Sequence, residues 1–167
     1  MYLTIGLAAV LTVQPIPANA GQHPAGHQAS APANSAATTD ETAVRDVLAR
    51  YKSAIERLDA TGTEDLFTAD SRIFETGGVE GNYANYLAHH LGPELKEFKS
   101  FAFSDYKVDV RFEGPVALAT ETYNYRIETK SGEIAERRGV ATSVLKKVGG
   151  QWKILSVHSS ARKPKGS

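Results

Sequence analysis

The sequence predicts an α+β domain in which helices come first and a mainly antiparallel sheet follows. Three observations predict it. Apolar residues recur at helical spacing after Asp40, they alternate after Lys99, and short glycine-containing turns separate the alternating runs. That order lets three N-terminal helices cover one face of a curved sheet.

Each element has its own signal. Asp40 is placed to cap the first helix, and Val44, Val47, Leu48, Tyr51, Ile55 and Leu58 follow on one stripe. Gly62 stands where that helix would end, and Thr63 caps a short second helix through Glu64, Asp65, Leu66 and Phe67. Ser71 to Glu75 reads as a short strand broken by Gly77-Gly78. Asn82 opens a third helix whose Tyr83, Tyr86, Leu87, His90 and Leu91 share a face. Gly92-Pro93 interrupts it, and Glu94 to Phe98 adds another turn. Tyr106, Val108, Val110 and Phe112 then lie on one face of a strand that turns at Glu113-Gly114-Pro115. Val116 to Thr129, Glu133 to Lys147 and Gln151 to Arg162 complete a four-strand meander, with turns at Lys130-Ser131-Gly132 and Gly149-Gly150.

Composition bounds the partners. Nineteen basic and nineteen acidic residues balance, and all of them fall in positions 40–167. That balance supplies no electrostatic reason to bind nucleic acid or an acidic membrane. The local excess of Arg162, Lys163 and Lys165 reads as a basic, solvated tail ending at 167. The absence of cysteine excludes disulfides, thiolate metal sites and cysteine nucleophiles.

The uncharged first 39 residues are of another kind. Leu3 to Val13 is an apolar run, followed by Pro15, Pro17 and Ala18-Asn19-Ala20, the pattern of a signal peptide cut after Ala20. The run is too short to anchor in a membrane. The expectation is therefore a secreted or periplasmic protein, with residues 21–39 an Ala/Ser/Pro-rich flexible linker and 40–163 the domain. Cleavage would expose Gly21-Gln22-His23, whose amine, two amides and imidazole can surround Cu(II) or Ni(II) with four nitrogens. His27 lies in the same linker.

The order of elements, with a closing "GGQWKILSVHSS", resembles the SnoaL-like domain of the nuclear-transport-factor-2-like superfamily, to which ketosteroid isomerase and scytalone dehydratase belong. The resemblance spans about Asp40 to Lys163. It implies a cone-shaped α+β roll with a pocket between sheet and helices, often in a homodimer, and no single activity. No residues match the base and oxyanion pair of ketosteroid isomerase. More narrowly, "FETGGVEGNYANYLAHHLGPEL" with "WKILSVHSSAR" resembles exported members associated with heavy-metal, especially copper, resistance.

In such a cone the third helix and last strand face each other, which brings the domain's three histidines into question. Trp152, Ile154, Ser156, His158 and Ser160 alternate onto one strand face. His89 and His90 point about 100° apart, so one of them meets His158, and His90 shares the apolar stripe. With Glu80 or Glu75 as carboxylate, two imidazoles would suit a copper or zinc ion. Tyr51, Phe67, Tyr86, Tyr123, His90 and His158 are the expected ligand pocket. The enzymatic alternative is an isomerase, dehydratase or hydrolase using His90 or His158 as base, oriented by Glu75 or Asp70. In it Tyr51, Tyr123 and Tyr125 donate to substrate oxygen. Tyr123, Tyr125, Glu121 and Ala119 share a face that could be pocket or exterior, and Arg137 or Arg138 could meet an anionic ligand. A non-catalytic dimeric interaction module, its cone filled by its own side chains, is the third reading.

Overall fold

Residues 33–164 are described by the structure, a computed structural model, and they form one unit. Helix α1 runs Ala33–Glu56, so it starts inside the expected linker and Asp40 is an interior residue, not a cap. Alanine is the best helix former, and extending an established helix costs little. Asp40 instead ties the helix to the far end of the sheet: Trp152 Nε1 donates to its Oδ1 at 3.1 Å and Lys147 Nζ lies at 2.7 Å. Val44, Leu48 and Ile55 place the predicted stripe in the core.

The second helix does not form as a helix of its own. Thr63–Leu66 is a single 3₁₀ turn, held between Gly62 at φ 76° and the extended Phe67. Thr63 does not cap it: its hydroxyl is spent on the Ala60 carbonyl and the Tyr83 hydroxyl. The third helical stretch is continuous through the Gly-Pro pair. Tyr83–Tyr86 (α2) passes through a π turn at Leu87–Leu91 into Gly92–Glu97 (α3). The Gly92 N–H bonds the Leu87 carbonyl, a five-residue step that widens the helix just before Pro93. A Cβ at Gly92 would stand 2.5 Å from that carbonyl oxygen, so the widened turn needs the glycine. Two helical bodies therefore cover the sheet, not three.

The six strands are β1 (Phe67–Glu75), β2 (Gly78–Gly81), β3 (Phe98–Glu113), β4 (Val116–Thr129), β5 (Ile134–Val148) and β6 (Gln151–Arg162). Their order is β2-β1-β6-β5-β4-β3, and all neighbours are antiparallel except β1 and β6. The sheet is thus mixed. β2 is an addition: Thr76 and Gly77 both take positive φ, 44° and 86°, and turn the chain in a two-residue hairpin.

Two irregularities decide which side chains face inward. On β3 the register slips between Ser104 and Lys107, with Asp105 at φ 51°, so Phe101 and Phe103 share the inner face with Tyr106 and Val108. On β6, Val144 pairs with Ser156 but Leu145 pairs with Ile154, which leaves Leu155 as the extra residue of a bulge. Beyond that bulge the alternation inverts.

Candidate functional site

Between α1, the α2–α3 stretch and the inner sheet face lies a cavity of about 240 Å³. That is just under the roughly 300–1,000 Å³ typical of drug-sized ligand sites, so an occupant would be small. Aromatic residues dominate its wall: Tyr51, Tyr86, Phe101, Phe103, Tyr123 and Tyr125. Among them stand three carboxylates, Glu75, Glu94 and Glu121, and one cation, Lys52. Strand alternation explains the set on β4, where Ala119, Glu121, Tyr123 and Tyr125 point the same way. Their face is therefore the pocket and not the exterior.

Two of the carboxylates are hydrogen-bonded to tyrosines. Tyr86 Oη donates to Glu75 Oε2 at 2.6 Å, and Tyr106 Oη donates to Glu121 Oε2. Glu121 is 9% exposed. Burial pushes its pKa above the ordinary 4.5, against the opposing pull of Tyr106 and Ser143. Burial raises the Tyr86 and Tyr106 phenols as well, helped by the neighbouring glutamates. Both tyrosines stay protonated and remain donors. Ser143 Oγ is buried beside Glu121, its hydroxyl near enough to lower that carboxyl's pKa. Lys52 pairs with Glu56 at 2.7 Å and lies 5.3 Å from the ring centres of both Phe103 and Tyr106.

His90 stands behind this wall and does not line the cavity. Its Nδ1 is 3.2 Å from Glu80 Oε2, and its Nε2 is 3.4 Å from Glu94 Oε1. Burial disfavours its charge, but the Glu80 hydrogen bond and the charges of Glu94 and Glu75 outweigh that and hold its pKa above 6.5. Burial likewise raises the Glu94 carboxyl, with His90 pulling the other way. An imidazole flanked by carboxylates at both nitrogens is arranged to donate twice, whereas a metal ligand must offer a lone pair. His89 is exposed.

His158 is the main correction. The Leu155 bulge turns it outward, where it is exposed, pairs with Thr142 and meets Phe74 edge-on at 6.3 Å. It lies across the sheet from the cavity, so it can neither meet His90 there nor act as base on a pocket ligand. The two-imidazole metal set is not assembled, and among the described residues no group of three or more His, Asp or Glu side chains is arranged for an ion. Ser156 turns outward with His158, while Val157 and Ser159 take the pocket face. Phe67 is also misplaced: it stacks on Tyr83 at 3.7 Å in the core, behind the pocket. Asp70 is on the exterior beside Lys146 at 3.5 Å. Arg137 shares the inner face with Tyr125 but does not line the cavity, and Arg138 faces outward. Tyr51, Tyr86, Tyr123 and Glu75 do line it. Residues 1–20, and with them the signal peptide, and the Gly21-Gln22-His23 copper site lie outside the described residues.

Glu94, Glu121, Tyr106, Phe101, Phe103 and Lys52 were not among the expected pocket residues. Glu121 had a signal, being the single charge in the inner alternation Ala117, Ala119, Glu121, Tyr123. Tyr106 and Phe103 had none, because the β3 bulge reverses parity between them.

The family profile of the SnoaL-like domain matches residues 44–163. The chain belongs to the SnoaL-like family. The matched span covers α1 from Val44 onward, α2 and α3, the cavity and every long strand. Solved structures agree on the fold. A nuclear transport factor 2-like superfamily protein from Salmonella enterica superposes with a TM-score of 0.69 at 20% identity, over 78% of this chain and 96% of that one. A provisionally named ketosteroid isomerase from Shewanella frigidimarina gives 0.63 at 25% identity, over 71% and 94%. A hexachlorocyclohexane dehydrochlorinase gives 0.65 at 10% identity, over 78% and 97%. No functionally curated protein matches the chain. In this SnoaL-like protein the cone's interior is open and polar at selected points, which argues against an interior filled only by its own side chains.

Proposed function

We propose that this SnoaL-like protein binds one small, largely apolar molecule in the cone pocket and orients it through the tyrosine–glutamate pairs. The observation that carries the reading is a cavity walled by aromatic rings in which Tyr86–Glu75 and Tyr106–Glu121 are the organised polar points. Apolar walls supply affinity, and few fixed polar groups supply orientation. If the leader is cut as its sequence predicts, this binding takes place outside the cytoplasm. A homodimer, as the family resemblance implies, is compatible with a pocket built from one chain.

Proton transfer on the bound molecule is a second reading. It is favoured by two glutamates in one cavity, each accepting a tyrosine hydrogen bond, of which Glu121 is the buried one and is held toward its protonated form. Acid and base would then be glutamates, with His90 only backing Glu94.

Calorimetry with 4-ethylphenol, which fits a small aromatic site, tests the binding. Ala141 lines the cavity opposite Glu121, so Ala141→Leu fills space there. Saturable binding by the parent that Ala141→Leu weakens about tenfold or more supports the site, since filling removes room for several ring contacts. His158→Ala, on the other face, should leave the affinity unchanged. No binding of 4-ethylphenol or of a charged analogue of its shape, or equal binding by a folded Ala141→Leu, would sink the proposal.

A further inference from the structure

Resting on the pocket reading above, we infer that the ligand is a small organic cation: a protonated amine on an apolar or aromatic body. The cavity combines the two features that recognise such a group. Its walls are π faces, which attract an ammonium electrostatically, and its ionisable residues are mostly acidic. Glu75, Glu94 and Glu121 line it against the single cation Lys52, and Lys52 is already neutralised by Glu56.

The wall has an internal precedent. The Lys52 ammonium rests 5.3 Å from the Phe103 and Tyr106 ring centres, so these rings already serve as a seat for one ammonium. A ligand amine entering the cavity would meet the same kind of surface, with Glu75, Glu94 and Glu121 also lining the cavity.

Ser143, 2% exposed, lines the cavity beside Glu121, and its hydroxyl adds one more polar point there. Tyr86 and Tyr106 direct their hydroxyl hydrogens at one oxygen each of Glu75 and Glu121, which leaves the remaining carboxyl lone pairs to accept from a ligand. An anionic ligand would face these oxygens with no arginine among the lining residues to offset them.

The experiment compares three probes of one shape on the full protein by calorimetry at neutral pH and low salt: tyramine (cation), 4-ethylphenol (neutral) and 3-(4-hydroxyphenyl)propionate (anion). Tyramine should bind about tenfold or more tighter than 4-ethylphenol, the scale of one desolvated cation–π contact. The propionate should bind weakest. Glu75→Gln with Glu94→Gln should bring tyramine and 4-ethylphenol to within about threefold, by loss of tyramine affinity alone. If 4-ethylphenol or the propionate binds as tightly as tyramine, the charge inference is overturned while the pocket reading stands. If none of the three binds, both fall.

Discussion

Replacing Gly139 by alanine should destabilise the domain, although local propensity says the opposite. Gly139 sits mid-strand on β5, paired with Tyr123 on β4, and its backbone is ordinary extended strand. By propensity alone, alanine in a strand interior is better than glycine by about 0.5–1 kcal/mol. The tertiary structure reverses the sign, because the Tyr123 ring lies flat across the glycine. A Cβ there would fall 2.2 Å from Tyr123 Cε2 and 2.9 Å from its Cδ2 and Cζ. The ring has little room to yield: Phe103 meets it edge-on at 5.0 Å and Tyr106 stacks at 5.9 Å. Overpacking of this kind costs about 1–3 kcal/mol, so a net loss centred on about 1 and reaching about 2.5 kcal/mol remains. Urea denaturation followed by circular dichroism measures it as a lower midpoint at unchanged slope. In a Tyr123→Ala background the same substitution should become neutral or favourable, since the obstacle has gone. Equal or greater stability of Gly139→Ala in the presence of Tyr123 would refute the reasoning.

Two further outcomes follow from the site and the leader. Glu121 holds its proton to higher pH in the folded than in the unfolded chain, so its stabilising contribution is whole below its ordinary 4.5 and is lost as pH rises through the folded value. Relative to Glu121→Gln, the parent should therefore lose stability as pH is raised from about 4 to about 8, and parallel curves would remove the premise. Mass spectrometry of the exported protein should find Gly21 at the start. That species should take up one equivalent of Cu(II) that His23→Ala abolishes, and a different first residue leaves no such site.

Much of the fold was legible because its signals are local and periodic. The α1 stripe and the bounds of β4 and β6 follow from spacing and from Gly-containing turns. β3 starts with Phe98 and not after Lys99, and β2 hides in a Gly-rich stretch with too few side chains to alternate. The candidate site was legible only in part. Tyr51, Tyr86 and Glu75 sit on elements whose facing the periodicity fixes, whereas Tyr106 and Phe103 depend on a bulge that no periodicity announces.

His158 shows the limit most clearly. By alternation it should share the face of Trp152 and Ile154, and the chain itself carries no mark that Leu155 adds one residue to the ladder. That addition is decided by the partners: β6 must pair with β5 on one side and run parallel to β1 on the other, and both ladders shift there. The sequence by itself determined the family, the order of elements and an aromatic inner face, because each rests on residues close together in the chain. Only the tertiary structure decided which carboxylates share the pocket and which histidine leaves it. A single extra residue in one strand turns every later side chain to the opposite face, and its position is set by contacts between strands far apart in sequence.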